Sequence, residues 1–134
     1  MTLSASIARS PRRRIARRTR GHSHGPITRL MSPSDFGQVL KPFVFLDLFD
    51  NKGVPFNGFG LHPHSGIATL TYVVEGSVSY EDTNGATGVL QAGGVEWMQA
   101  GGGVWHGGGA ASRDGRAAFS FGSPCRRNSS LGHP

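Results

Sequence analysis

Short apolar segments that end at glycine turns recur along this chain, and they constrain its fold more than any other feature. Such segments occupy residues 43–49, 67–74 and 77–82, and turn signals separate segments at intervals of about 8–12 residues. Glycine supplies 21 of the 134 residues, which suits tight turns better than helices. No stretch of about ten residues or more has a helical period. The sequence therefore predicts an all-β sandwich or barrel.

Further strands are predicted in the second half of the chain. Asn84-Gly85 predicts a hairpin with a type I′ turn, because both residues tolerate positive φ angles. Residues 86–90 then return as the partner strand, and residues 95–100 and 104–106 form two more strands around a glycine bend. Residues 50–60 are predicted to be a loop.

The length and the cysteine content narrow the class of protein. A chain of 134 residues accommodates one domain with a core and is short for two. No segment approaches the roughly 18 apolar residues of a membrane span. The single cysteine, Cys125, excludes an internal disulfide framework and predicts a reducing compartment, the cytoplasm.

The net charge of +6 comes from one end of the chain. Residues 1–30 contain eight arginines and no acid, whereas residues 31–134 carry a net charge of −2. We therefore expect residues 1–25 to form a disordered basic arm. Its composition is compatible with a solvated tail, with residues added by an upstream start codon, with a mitochondrial-type presequence, or with contact to nucleic acid or an acidic membrane surface.

Three histidines form the strongest candidate site. His62 and His64 are two residues apart, so in an extended strand both imidazoles point to the same face. His106 follows a glycine bend and could approach from a neighbouring strand. Three neutral imidazoles around one point suit iron, nickel, copper, zinc or manganese. The alternative hypothesis is that His62 and His64 are an exposed pair on the surface that binds no metal.

The surroundings of these histidines resemble the two half-motifs of the cupin superfamily, a set of small β-barrels that hold one metal. Residues 58–64 carry the first half-motif, and Gly103 with His106 carries the second. Within that superfamily the chain resembles the pirin family over about residues 21–119, through residues 21–29, 42–47, 62–69, 75–76, 80–82 and 94–106. The resemblance implies an N-terminal cupin domain over residues 26–119, in a family whose members are about twice this length. It also implies a cupin-type β-barrel, or jelly roll, that lacks the second cupin domain.

The resemblance further implies a metal site of His62, His64 and His106, with Fe²⁺ as the first candidate and Ni²⁺, Mn²⁺, Cu²⁺ or Zn²⁺ as alternatives. The fourth ligand of the family is usually a carboxylate two residues after the last histidine, where this chain has Gly108. The general cupin pattern places an acid where this chain has Ala68. Glu96 is a conceivable substitute, but we expect it on a solvent-exposed strand face.

The last residues depart from the family pattern. Residues 120–134 have little apolar alternation, and Arg126 and Arg127 are adjacent. Back-translating them and reading one base earlier gives Phe-Gln-Leu-Arg-Val-Ala-Leu-Pro, which resembles the usual continuation of a pirin. We therefore expect a frameshift near Phe119 and a barrel with an open edge, prone to self-association.

Three functions remain open from the sequence. The resemblance implies an oxidoreductase related to quercetin 2,3-dioxygenases, acting on a flavonol-like aromatic compound and dioxygen. A metal-binding regulatory protein without enzyme activity is the first alternative, and a non-functional truncated pirin is the second. Trp97 and Trp105 are expected in the core or at the mouth of the pocket.

Overall fold

The computed structural model describes residues 13–51, 53, 58–111 and 116–124, and these residues form ten strands and one short 3₁₀ helix. The strands are β1 (His22–His24), β2 (Ile27–Met31), β3 (Phe45–Asp50), β4 (Phe59–His64), β5 (Ile67–Glu75), β6 (Ser77–Asp82), β7 (Thr87–Gln91), β8 (Val95–Ala100), β9 (Val104–Ala110) and β10 (Arg116–Pro124). The 3₁₀ helix is Phe36–Gln38. Within this part of the chain no helix has the length and apolar character that crossing a membrane requires.

The strands pair into two antiparallel sheets. The six-stranded sheet has the order β1-β2-β3-β10-β5-β8, and the four-stranded sheet has the order β4-β9-β6-β7. The Phe49 ring of the first sheet packs edge-on against the Phe59 ring of the second, with 5.6 Å between centroids. The two sheets therefore face each other across a shared interior, and the predicted all-β fold is confirmed.

The predicted strand positions are close to the observed ones. Strands β6 and β8 have the predicted bounds, and β9 continues past His106 to Ala110. The predicted hairpin is present, but its turn type was wrong. The Asp82 carbonyl accepts from the Gly85 amide (3.2 Å), and the Asp82 amide donates to the Ala86 carbonyl (2.9 Å). The loop therefore has three residues, with Gly85 at a φ of 88° closing it.

The basic arm is shorter than we expected. Residues 13–20 have no regular secondary structure and are exposed. His22–His24 forms β1, which pairs with β2, so the expected disordered segment cannot extend to residue 25. The prediction for residues 1–12 lies outside the described part of the chain.

Strand β10 contradicts the expected open edge near the C-terminal end of the chain. Its backbone pairs with β3 on one side and with β5 on the other, from Arg116 to Pro124. The expected open edge after Phe119 is therefore absent at this place, because backbone pairing continues five residues further than the family pattern. Self-association through another sheet edge stays a prediction, and residues 125–134 lie outside the described chain.

The buried apolar side chains are concentrated in the six-stranded sheet. Val73 on β5 is fully buried, and it is the largest side chain in that state among the residues described. The other buried apolar residues of this sheet are Met31, Phe49, Ala68, Met98 and Ala100. On the four-stranded sheet Val104 alone joins this set within the described ranges. The four-stranded sheet thus contributes few fully buried apolar side chains among the described residues.

Candidate metal centre

Two neighbouring strands bring the three histidines together. Strands β4 and β9 are antiparallel, with His62 opposite His106 and His64 opposite Val104. Residues that face each other across antiparallel strands have side chains on the same face of the sheet. The ring centroids are 4.9 Å apart for His62 and His64, 4.8 Å for His62 and His106, and 5.3 Å for His64 and His106. The sequence-predicted triad is therefore one compact cluster.

The nitrogen atoms of this cluster suit a metal ion. One ligand atom from each ring lies within 4.8 Å of the other two, and no other cluster of this kind occurs in the described ranges. His62 Nδ1 is 2.9 Å from the Gly60 carbonyl oxygen. In the tautomer with the proton on Nδ1, this nitrogen donates to that oxygen, and the lone pair of Nε2 is available to a metal. His64 Nε2 and His106 Nδ1 are buried without a hydrogen-bond partner. A buried unsatisfied polar atom costs about 1–3 kcal/mol, which a metal ion would offset.

The interior keeps the imidazoles of His64 and His106 neutral. Burial, helped by the neighbouring His62 and His64 and opposed by the Asp82 charge, lowers the pKa of His106 to about 4. Burial also lowers the pKa of His64, with a smaller contribution from His62. At neutral pH both rings therefore present lone pairs, the form that binds a metal.

The backbone excludes a side chain at the position of the usual carboxylate. Gly108 lies on β9 between Phe59 and Tyr80, its register partners on β4 and β6. A Cβ atom built on Gly108 would lie far inside van der Waals contact with the Ser79 carbonyl oxygen. This glycine thus allows β6 and β9 to approach closely, and any larger residue requires the backbone to move.

Glu96 is not where we expected it. The prediction of a solvent-exposed face was wrong, since Glu96 is half-buried and lies opposite Thr71 of β5. It shares a strand face with Met98 and Ala100, both buried, so strand alternation turns it inward. Burial raises the pKa of Glu96, a hydrogen bond with the Thr71 side chain lowers it, and the nearby Asp82 charge raises it.

Asp82 was not singled out as a site residue, yet it lies beside the cluster. It is the register partner of His106 on β6, so His62, His106 and Asp82 form one row across three strands. Its Oδ1 also accepts from the Asn84 and Ala86 amides, at 2.8 Å and 3.0 Å. The signal in the sequence was the spacing of two between Tyr80 and Asp82, which puts both on one strand face.

The remaining candidates are not part of the triad. His22 and His24 are exposed on β1 and belong to no metal-type cluster in the described part of the chain. Trp97 and Trp105 are 59% and 52% exposed, so the expectation of a core position was wrong. Trp97 instead lines a cavity that borders β6, β7 and β8.

Comparison with known proteins gives the same fold and the same family as the resemblance in the sequence. The profile of a protein family described as Pirin matches residues 23–120 of this chain. A pirin-like protein of Caulobacter vibrioides is 40% identical over 82 residues, which are 60% of this chain and 29% of that protein. The chain thus spans less than a third of this relative's length.

Solved structures of related proteins have the same fold as this chain. A quercetin 2,3-dioxygenase from Acinetobacter baumannii superposes with a TM-score of 0.62 at 28% identity, covering 80% of this chain and 41% of that one. The bacterial pirin YhhW of Escherichia coli, solved in complex with nickel(II), superposes with a TM-score of 0.63 at 26% identity. That match covers 79% of this chain and 48% of the other.

Proposed function

The chain belongs to the pirin family, and from this membership and the geometry of the histidine triad we propose that it binds one divalent transition-metal ion. The ligands are His62, His64 and His106, and Fe²⁺ is the first candidate, ahead of Ni²⁺, Mn²⁺, Cu²⁺ and Zn²⁺. The observation that carries the proposal is the pair of buried, unpartnered nitrogens, His64 Nε2 and His106 Nδ1, aimed at one cluster. Neutral imidazoles are ligands for all of these metals.

The activity we propose is oxidation of an aromatic hydroxyl compound of the flavonol class by dioxygen. It is supported by the likeness to a quercetin 2,3-dioxygenase, which the chain covers only in part. When bound, the metal would supply a Lewis acid with open positions for substrate and dioxygen. The protein holds the three imidazoles at fixed separations, and the Gly60 carbonyl orients the His62 ring. The lone cysteine of the chain leads us to place this activity in the cytoplasm.

Gly108 favours a second candidate function. The missing carboxylate would leave a site that binds metal without turning over a substrate, as in a metal-dependent regulatory protein. A well-placed general base is worth about 10²–10⁴-fold in rate, so its loss would be decisive unless another group replaces it.

Metal analysis and oxygen uptake test both candidates on the same preparation. Protein loaded with each metal and desalted should retain one equivalent per chain, and the His62→Ala/His106→Ala variant should retain none. The matched control is His22→Ala/His24→Ala, which removes an exposed pair with the same spacing. Oxygen consumption with quercetin supports the dioxygenase, and metal binding without consumption supports the regulatory protein. Folded wild-type protein that retains no metal contradicts both.

A further inference from the structure

A cavity of about 340 Å³ lies between the β6–β7 hairpin and β8, and its wall includes Asp82, the register partner of His106. Pockets for small organic ligands typically measure about 300–1,000 Å³, so this cavity can hold most of one small aromatic molecule. Its walls come from β6, β7 and β8, and the residues that matter here are Tyr80, Asp82, Glu96 and Trp97. The lining thus combines two aromatic side chains with two carboxyl groups.

The aromatic wall is fixed by a glycine on the neighbouring strand. Gly88 of β7 lies opposite Tyr80, and a Cβ atom there would come within 2.8 Å of the Tyr80 hydroxyl oxygen. The hydroxyl end of the Tyr80 ring therefore lies against Gly88, and Tyr80 and Trp97 both line the cavity. Aromatic walls of this kind stack well against a planar aromatic ligand.

Asp82 connects the cavity to the triad. It lines the cavity and is the register partner of His106, whose pKa its charge raises. Its charge also raises the pKa of Glu96, so its carboxylate is close to both residues. Asp82 Oδ1 already accepts two backbone amides of the hairpin loop, which makes this carboxylate part of the turn structure.

Glu96, unlike Asp82, belongs to the six-stranded sheet. It projects from β8 and is half-buried. The groups that face it are the Thr71 side chain of β5 and the Asp82 carboxylate of β6. A partly buried carboxyl group beside another carboxylate holds a proton more readily than one in water, which suits a group that receives a proton during a reaction.

We propose that Glu96 accepts the proton of an aromatic hydroxyl group bound in this cavity, in place of the carboxylate that Gly108 cannot supply. The inference rests on the proposed function and names its proton acceptor. In the step, the substrate O–H bond breaks, the proton moves to a Glu96 carboxylate oxygen, and the electron pair stays on the substrate oxygen. No oxidant takes part, so the step can be observed without dioxygen.

The test uses Ni²⁺-loaded protein with quercetin under anaerobic conditions at pH 7, followed by absorption spectroscopy. Ionisation of an aromatic hydroxyl shifts its absorption to longer wavelength, so the spectrum reports where the proton is without any turnover. We compare wild type with Glu96→Gln, which has nearly the same shape but is a far weaker base. The matched control is Glu81→Gln, which alters an exposed acid on β6.

We expect wild type and Glu81→Gln to shift bound quercetin to the anion spectrum. We expect Glu96→Gln to retain metal and quercetin but to lower the anion fraction at least tenfold, and its oxygen uptake to fall by about 10²–10⁴-fold. Glu96→Asp, one methylene shorter, should restore part of the anion band. An equal anion band in Glu96→Gln overturns the role of Glu96 and leaves the proposed function standing. Wild type that binds neither metal nor quercetin overturns both.

Discussion

The two sheets of this protein present different interiors. The six-stranded sheet carries six of the seven buried apolar side chains of the described residues, and among them Val73 is the largest that is fully buried. The four-stranded sheet carries a polar row of His62, His106 and Asp82, and next to it Gly108. One sheet supplies packing and the other supplies imidazoles, so stability and metal binding should respond to substitutions in different strands.

Placing the imidazoles in the interior of the four-stranded sheet lowers the stability of the protein. Two imidazole nitrogens are buried without partners on the four-stranded sheet, which destabilises the metal-free protein. The apolar side chains of the six-stranded sheet offset such costs through burial, at about 25 cal/mol per Å². Functional sites commonly keep groups that lower stability, because activity needs them. The following predictions test whether the division holds.

The largest expected effect is on metal affinity. His106→Ala should weaken Ni²⁺ binding by more than about 100-fold, since residues that only orient metal ligands are already worth about 10–100-fold. The free energy of unfolding of the metal-free protein should change by less than about 1 kcal/mol. Calorimetric titration with Ni²⁺ measures the first quantity and urea unfolding the second. His24→Ala is the control, and an equal loss of affinity there would place the site elsewhere.

A carboxylate restored at the usual position should harm the protein. Gly108→Glu should lower the free energy of unfolding by about 3 kcal/mol, because its Cβ meets the Ser79 carbonyl and forces β6 and β9 apart. Gly102 has open space around it and an ordinary φ, so Gly102→Glu should be close to neutral. Urea unfolding compares the two. Tighter Ni²⁺ binding by a stable Gly108→Glu protein would show that the strands tolerate the side chain.

The packing side of the comparison is tested on two adjacent residues of β5. Val73 is fully buried and Val74 is 46% exposed. Val73→Ala should cost about 2 kcal/mol of unfolding free energy, and Val74→Ala less than about 0.5 kcal/mol. Neither should alter Ni²⁺ affinity of the folded protein. If Val73→Ala weakened metal binding as strongly as His106→Ala, the two interiors would not be separable.

The last prediction concerns the pH dependence of stability, which partial exposure of the His106 ring makes smaller than the pKa shift alone suggests. Because the pKa of His106 falls from 6.5 to about 4 on folding, the unfolded chain binds more protons between these values. The stability of the metal-free protein should therefore be complete above pH 6.5 and decrease as the pH falls toward 4. Urea unfolding at several pH values measures the slope. His106→Ala should have a shallower slope, and an unchanged slope would mean that His106 is not buried as described.

Much of this arrangement was predictable from the sequence, for reasons of spacing. Alternation in a strand placed His62 and His64 on one face, and the glycine bend before His106 allowed β9 to pair with β4. The orientation of Glu96 was missed because Val95 and Trp97, both apolar, flank it on the outward face. An apolar pattern predicts that Val95 and Trp97 point inward and that Glu96 points outward. The pairing of β8 with β5 gives the opposite orientation.

The C-terminal strand was missed for another reason. Residues 116–124 have weak apolar alternation, so no pattern identified them as a central strand. Their place between β3 and β5 follows from backbone pairing, which satisfies amide and carbonyl groups whatever the side chains are. Position in a sheet is a tertiary property that local propensity does not determine.

A crystal of the Ni²⁺-loaded protein, measured at the nickel absorption edge, tests the central claim most directly. We predict one strong anomalous peak per chain, about 2.1 Å from one nitrogen each of His62, His64 and His106. Water would complete the coordination, because Gly108 offers no ligand atom. A peak at His22 and His24, or no peak near the triad in fully loaded protein, would contradict the account.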